Sequence, residues 1–111
     1  MTFSKPFTDK EKIELLQRAI LVHSFMYYEL DQSVLPDWKY DGNSKQLVEL
    51  IKTAPDAFRQ SRYYKYFYDF NGSTGYHLTS RVKKDQELYK KVYRDAQLAI
   101  QLKEERNGEV L

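Results

Sequence analysis

A chain of 111 residues with a formal net charge of +2 is long enough to bury one hydrophobic core and too short for a two-domain enzyme. It contains no cysteine, which excludes disulfides, thiolate metal sites and cysteine nucleophiles and makes a cytoplasmic setting the expectation. Residues 1–60 carry eight basic and nine acidic side chains and residues 61–111 carry ten and seven, an asymmetry too mild for a dedicated nucleic-acid module.

The opening MTFSKPFTDK is polar, and no stretch approaches the roughly 20 apolar residues that span a bilayer, so no membrane partner is expected. Thr8 and Glu11 have the spacing of a capping box, and a helix is predicted from there to about Glu29 or Leu30. Ile13, Leu16, Ala19, Ile20, His23, Tyr27 and Leu30 recur at steps of three and four along it, and Leu15, Val22, Phe25 and Met26 widen the stripe. DQSVLPDWKYDGN then reads as a connector, in which Pro36 disfavours helix at Leu35 and Asp37 is placed to cap the next element. A second helix is predicted to begin near Ser44, to present Leu47, Leu50 and Ile51, and to stop before Pro55, giving an αα-hairpin.

RYYKYFYDFNGSTGYHLTS is dense in tyrosine and phenylalanine around a glycine-containing turn and reads as two short strands, although DAFRQSRYYKYFYDF also fits an aromatic-rich helix. Thr79 or Ser80 is then expected to cap a long C-terminal helix with Leu88, Val92, Ala96, Ala99 and Leu102 or Lys103 in register, ended by Asn107 and Gly108. The expected fold is α+β and mostly helical, a single domain over 1–111. A helical hairpin occupies 8–57, and an aromatic β-hairpin with the C-terminal helix occupies 58–111.

Two patterns overlap in YYELDQSVLPDWKYDG. Lys39, Asp41 and Gly42 fit the Lys-x-Asp-Gly element of enzymes that carry a nucleotide on a lysine. That chemistry needs metal ligands, base-stacking walls and further phosphate-binding cations, for which the chain has no room. An exposed lysine before a turn glycine is the simpler reading.

The longer pattern, Tyr27, Tyr28, Asp31, Pro36, Asp37, Tyr40, Asp41, Leu47 and Leu50, closely resembles the N-terminal Ia domain of bacterial NAD-dependent DNA ligases. His23 and Ile20 also sit where that family tends to place a histidine and an apolar residue, and the resemblance covers about residues 8–57. In those ligases the domain closes over the nicotinamide mononucleotide half of NAD and orients pyrophosphate as the leaving group during self-adenylation. The resemblance therefore implies NAD or nicotinamide mononucleotide as the ligand. By position, Tyr27 and Tyr28 would stack or hydrogen-bond at the nicotinamide, Asp37 and Asp41 would accept bonds from ribose hydroxyls or the carboxamide, and Tyr40 would close the pocket. A flat cationic ring suits electron-rich tyrosine faces and nearby carboxylates. Asn43 replaces the family leucine, and nothing after residue 57 resembles the adenylation, OB-fold or helix-hairpin-helix domains, so the expected module is non-catalytic.

Simpler assignments stand beside these. Tyr27 and His23 also fit core positions on the first helix. NGSTGYH lacks the lysine of a phosphate loop and reads as a turn. His77 has no second ligand at metal spacing, so no metal is expected. The run RVKKDQELYKKVYR holds six basic and two acidic residues, and Lys83, Lys84, Lys90, Lys91 and Arg94 are candidates for binding nucleic acid or an acidic partner if they are not simply a solvated face. Two alternatives to the ligase-like module remain. One is a bacteriophage or mobile-element protein-interaction module that inhibits or modulates a host or defence protein, for example an anti-CRISPR, with an unknown protein partner. The other is a nucleic-acid-binding accessory protein using YYKYFYDF as a stacking surface. An enzyme is not expected, since no nucleophile is paired with a base.

Overall fold

The computed structural model describes residues 7–32, 36–72 and 76–110. Thr8 begins the first helix, α1 (Asp9–Tyr28), with a complete capping box: its amide donates to Glu11 Oε1 at 2.8 Å, and its hydroxyl accepts from the Glu11 amide at 3.1 Å. α1 runs to Tyr28 and is capped by Glu29, whose amide returns to the Phe25 carbonyl at 2.9 Å. Asp31 then turns the chain in the left-handed region, with φ of 52°, a conformation that a short polar side chain tolerates. Ile13, Ile20, Leu21, Phe25 and Met26 are fully buried, so α1 is the central element of the core. Burying each such side chain contributes about 1.5–3 kcal/mol.

α2 (Asp37–Thr53) folds back on α1 and makes the expected helical hairpin. It begins seven residues before the expected Ser44, because Asp37–Asn43 is helical and not a connector. Pro36, not Asp37, is the N-cap, with φ of −68° and ψ of 154°, and Asp37 is the first helical residue. Tyr40, Ser44, Leu47 and Ile51 stand at steps of three and four, so the face that meets α1 continues upstream through the turn-like Asp41-Gly42-Asn43. α2 ends at Thr53, and Pro55 opens α3 (Pro55–Arg59) as its first residue, where its missing N–H costs nothing.

The expected aromatic β-hairpin is not there: among the described residues the chain is helical and has no strand, so the fold is all-α and not α+β. RYYKYFYDF forms α4 (Tyr64–Phe67) and flanking turns, with the Tyr66 amide bonded to the Tyr63 carbonyl at 3.0 Å and the Phe70 amide to the Phe67 carbonyl at 2.8 Å. The physical reason is spacing. Tyr63, Tyr66, Phe67 and Phe70 recur at three and four residues, and the first three are buried together. Strand alternation would have placed half of them in solvent. Of the expected turn, Gly72 adopts φ of 88°, and residues 73–75 lie outside the described residues.

YHLTS is likewise helical, in α5 (Tyr76–Val82), which buries Leu78, Thr79 and Val82. Thr79 lies inside α5, its hydroxyl donating to the Tyr76 carbonyl at 2.8 Å, so neither it nor Ser80 caps the final helix. That helix, α6 (Gln86–Val110), is instead started by Asp85, whose Oδ1 accepts from the Leu88 amide at 3.2 Å. α6 continues past Asn107 and Gly108, the expected stop. Val92 and Ala96 are buried against α1, whereas Leu98 and Leu102 stand half exposed.

Polar ties fix the smaller elements. The buried Gln17 side chain donates to Ser61 Oγ at 2.9 Å, and Ser61 donates to the Phe58 carbonyl at 2.6 Å, joining α1 to the end of α3. Arg18 bridges α1 to α6 and to the segment before α4 through Asp95 and the Tyr63 hydroxyl. Arg81 grips Asp69 with both terminal nitrogens, at 2.8 and 2.9 Å, and also donates to the Tyr66 carbonyl at 2.9 Å.

Candidate functional site

The last turns of α1 and the first turn of α2 enclose a pocket of about 250 Å³ lined by His23, Ser24, Tyr27, Tyr28, Asp37, Tyr40 and Asp41. The helix repeat explains the convergence: on α1 the four residues fall at i, i+1, i+4 and i+5, and on α2 the three fall at i, i+3 and i+4. Each set is one face of its helix, and the hairpin turns the two faces toward each other. The early start of α2 is what places Asp37, Tyr40 and Asp41 on a helix face instead of a loop.

Tyr40 and His23 form the floor. Their rings meet edge to face, with centroids 5.2 Å apart and planes at 86°. His23 is only 5% exposed, and its Nδ1 is buried with no hydrogen-bond partner in the protein, a state that costs about 1–3 kcal/mol unless a ligand or water satisfies it. Burial lowers the His23 pKa below 6.5 and so favours the neutral ring at physiological pH, and the Asp37 carboxylate opposes this in part. Burial raises the Tyr40 pKa, opposed by the nearby Ser44 and Ser24 hydroxyls, and so keeps the phenol protonated at neutral pH. Above this floor, Tyr27 and Tyr28 stand edge to face at 4.9 Å, 52% and 38% exposed, and Asp37 and Asp41 are exposed at the mouth.

All five residues singled out from sequence as ligand contacts, Tyr27, Tyr28, Asp37, Tyr40 and Asp41, therefore lie on one pocket. Tyr27 is half exposed and does not take the alternative core position, while His23 is both buried and pocket-lining. Ser24 was missed as a pocket residue. The available signal was its place four residues before Tyr28, one helical turn away on the same face.

The five basic candidates do not form one patch. Lys83 pairs with Glu29 Oε1 at 2.9 Å. Lys84 is exposed between α5 and α6. Lys90 and Arg94 flank Tyr89 and Tyr93 in one shallow groove, whereas Lys91 lines another with Arg18, Arg62 and Tyr63. Neighbouring positions on a helix point about 100° apart, which is why a run of basic residues in the sequence is dispersed in space. Among the described residues, no three His, Cys, Asp or Glu side chains come together to hold a metal ion, and no helix is long and apolar enough to cross a membrane.

A family model described as DNA ligase-like, N-terminal NAD+-binding domain matches residues 7–65, a region that includes α1, α2, α3 and every pocket residue. Among individual proteins, a DNA ligase of Thermosipho africanus (strain TCF52B) is 41% identical over 49 residues, 44% of this chain. A DNA ligase of Thermoanaerobacter sp. (strain X514) is 38% identical over 47 residues, 42% of this chain. Each match covers 7% of the ligase's own length. No solved structure matches the chain.

Proposed function

The chain belongs to the DNA ligase-like, N-terminal NAD+-binding domain family, and on that premise we propose that the pocket between α1 and α2 binds the nicotinamide mononucleotide portion of NAD+, the chain serving as a binding module without chemistry of its own. The observation that carries the reading is the convergence of Tyr27, Tyr28, Asp37, Tyr40 and Asp41, from two helices, on a single pocket of about 250 Å³. That size is slightly below the range of sites that engulf a drug-sized molecule, and it suits one flat ring with its ribose.

The residues match the ligand's chemistry group by group. The oxidised nicotinamide ring is flat and cationic, and the exposed rings of Tyr27 and Tyr28 offer it negative faces, an attraction of about 0.5–2 kcal/mol. Asp37 and Asp41 supply acceptors for the ribose diol and add negative potential toward the ring's charge. The neutral His23 and protonated Tyr40 make a floor without positive charge of its own, and His23 Nδ1 is a buried polar atom with no partner inside the protein. An adjacent cation there would oppose the ring.

Calorimetric titration with nicotinamide mononucleotide and with NAD+ tests the reading. Binding is expected, weakened about ten-fold by Tyr27→Ala or Asp41→Ala, changes at exposed positions that leave the helices intact. Absence of binding at millimolar ligand, or binding indifferent to both substitutions, overturns it.

A further inference from the structure

The pocket does not end at Tyr27 and Tyr28. Tyr76, the first residue of α5, packs edge to face on Tyr28 with centroids 5.6 Å apart and planes at 82°, and His77 continues the row at 5.9 Å from Tyr76. With the 4.9 Å step between Tyr27 and Tyr28, four aromatic rings lead from the pocket onto α5. Tyr76 lies outside residues 7–65, so this extension is built by a part of the chain that the family match does not reach.

Tyr76 is 59% exposed, so burial does not account for its place in the row. Its backbone is nonetheless held. Leu78, Thr79 and Val82 bury α5 against the core, the Thr79 hydroxyl donates to the Tyr76 carbonyl, and at the other end of α5 Lys83 is tied to Glu29, the residue after Tyr28. The lysine side chain remains half exposed and within electrostatic range of Tyr76. An exposed aromatic ring on a fixed backbone is a ready stacking surface, since little ordering remains to be done on binding.

We infer that Tyr76 stacks a second aromatic heterocycle, the purine of a nicotinamide dinucleotide whose nicotinamide end occupies the pocket. This rests on the function proposed above and extends it: the chain would hold a whole dinucleotide, not its mononucleotide half. Two ring-to-ring steps along the tyrosine row lie within the reach of the ribose-diphosphate-ribose bridge, and Lys83, the residue after α5, held by Glu29 within electrostatic range of Tyr76, brings a cation toward that bridge.

The test compares nicotinamide mononucleotide with NAD+ by calorimetry on the unaltered chain, Tyr76→Ala and Tyr76→Phe, with circular dichroism confirming that each variant keeps its helices. NAD+ is expected to bind about ten-fold tighter than the mononucleotide. Tyr76→Ala should erase that advantage without changing the mononucleotide's affinity, and Tyr76→Phe should preserve it. Equal affinities on the unaltered chain, an NAD+ advantage that survives Tyr76→Ala, or a loss shared equally by both ligands each overturn the inference while leaving the nicotinamide pocket standing. A mononucleotide that does not bind at all removes the pocket reading, and this one with it.

Discussion

Tyr40 meets His23 edge to face at 5.2 Å, and through this contact the first turns of α2 are fastened to the last turns of α1. The pocket exists only while that joint is closed. Tyr40→Ala removes an aromatic pair, worth about 0.5–1.5 kcal/mol, and part of the half-buried ring's transfer energy, so a loss of about 2–3 kcal/mol is expected. Tyr40→Phe keeps the ring and gives up only the hydroxyl beside Ser24 and Ser44, for about 1 kcal/mol. Urea denaturation of the two variants separates the contributions, and equal losses would mean that the ring contact fastens nothing.

His23 gives the chain a pH response above the carboxylate range. Its folded pKa lies below 6.5 because burial disfavours the charged ring, so the unfolded chain takes up a proton at pH values where the folded one does not. Stability should therefore rise with pH from the lowered pKa up to about 6.5 and be flat above it. Urea midpoints measured from pH 5 to pH 8 should show that slope, and His23→Gln should abolish it. An unchanged slope in the variant would assign the response to another group.

The hairpin and the pocket were legible because they depend on local periodicity and on one ungapped pattern. The capping box at Thr8 and the stop before Pro55 follow from short-range rules that tertiary packing did not override. The expected stripe of α1 holds only in part: Ile13, Ile20, His23, Phe25 and Met26 are buried, but Leu15 and Tyr27 are exposed and Leu21 is buried in addition. The start of α2 was misplaced because Asp41, Gly42 and Asn43 are turn formers, and their composition outweighed a helical face running through Tyr40, Ser44 and Leu47. Composition misled again at the Tyr- and Phe-rich segment. Strand propensity describes a residue that fits a half-buried pleated surface, and Tyr63, Tyr66 and Phe67 satisfy the same demand by burying one side of a short helix. The Tyr76 extension was not legible at all, since it arises from the packing of α5 on α1, 48 positions beyond Tyr28.

Two glycines should respond to alanine with opposite signs. Gly42 lies inside α2 with helical backbone, and an added methyl would meet nothing within 4 Å, so Gly42→Ala should stabilise by about 1 kcal/mol. Gly72 has φ of 88°, and a methyl there would come 3.2 Å from Val48 Cγ2, so Gly72→Ala should destabilise by about 1 kcal/mol or more. Thermal melts of both variants check the pair. Destabilisation by Gly42→Ala would argue that residues 37–43 are a loop after all.

Asp85 works on two elements at once, and the acid limb of stability should report it. Its Oδ2 accepts from the Tyr66 hydroxyl at 2.5 Å, tying α4 to the start of α6, while Oδ1 caps α6 by accepting from the Leu88 amide. The Tyr66 bond first, and then the backbone bonds, hold the carboxyl below its ordinary value of 3.8. The folded chain therefore releases this proton at a lower pH than the unfolded one does. The stabilisation is complete above about 3.8 and is lost as pH falls through the lower folded pKa. Asp69, lowered by its pair with Arg81, acts in the same window, so each carboxyl must be removed separately. Asp85→Asn no longer titrates and keeps one acceptor oxygen of the two, its amide nitrogen being a donor only, so it can hold the cap to Leu88 but not the Tyr66 bond as well. Its stability at pH 7 should fall modestly while its acid dependence becomes shallower. Asp85→Ala loses the cap and leaves the Tyr66 hydroxyl without its acceptor, so it should have the lowest urea midpoint of the three chains at pH 7. If Asp85→Asn kept the full acid dependence of the unaltered chain, the coupling between α4 and α6 through this carboxylate would be refuted.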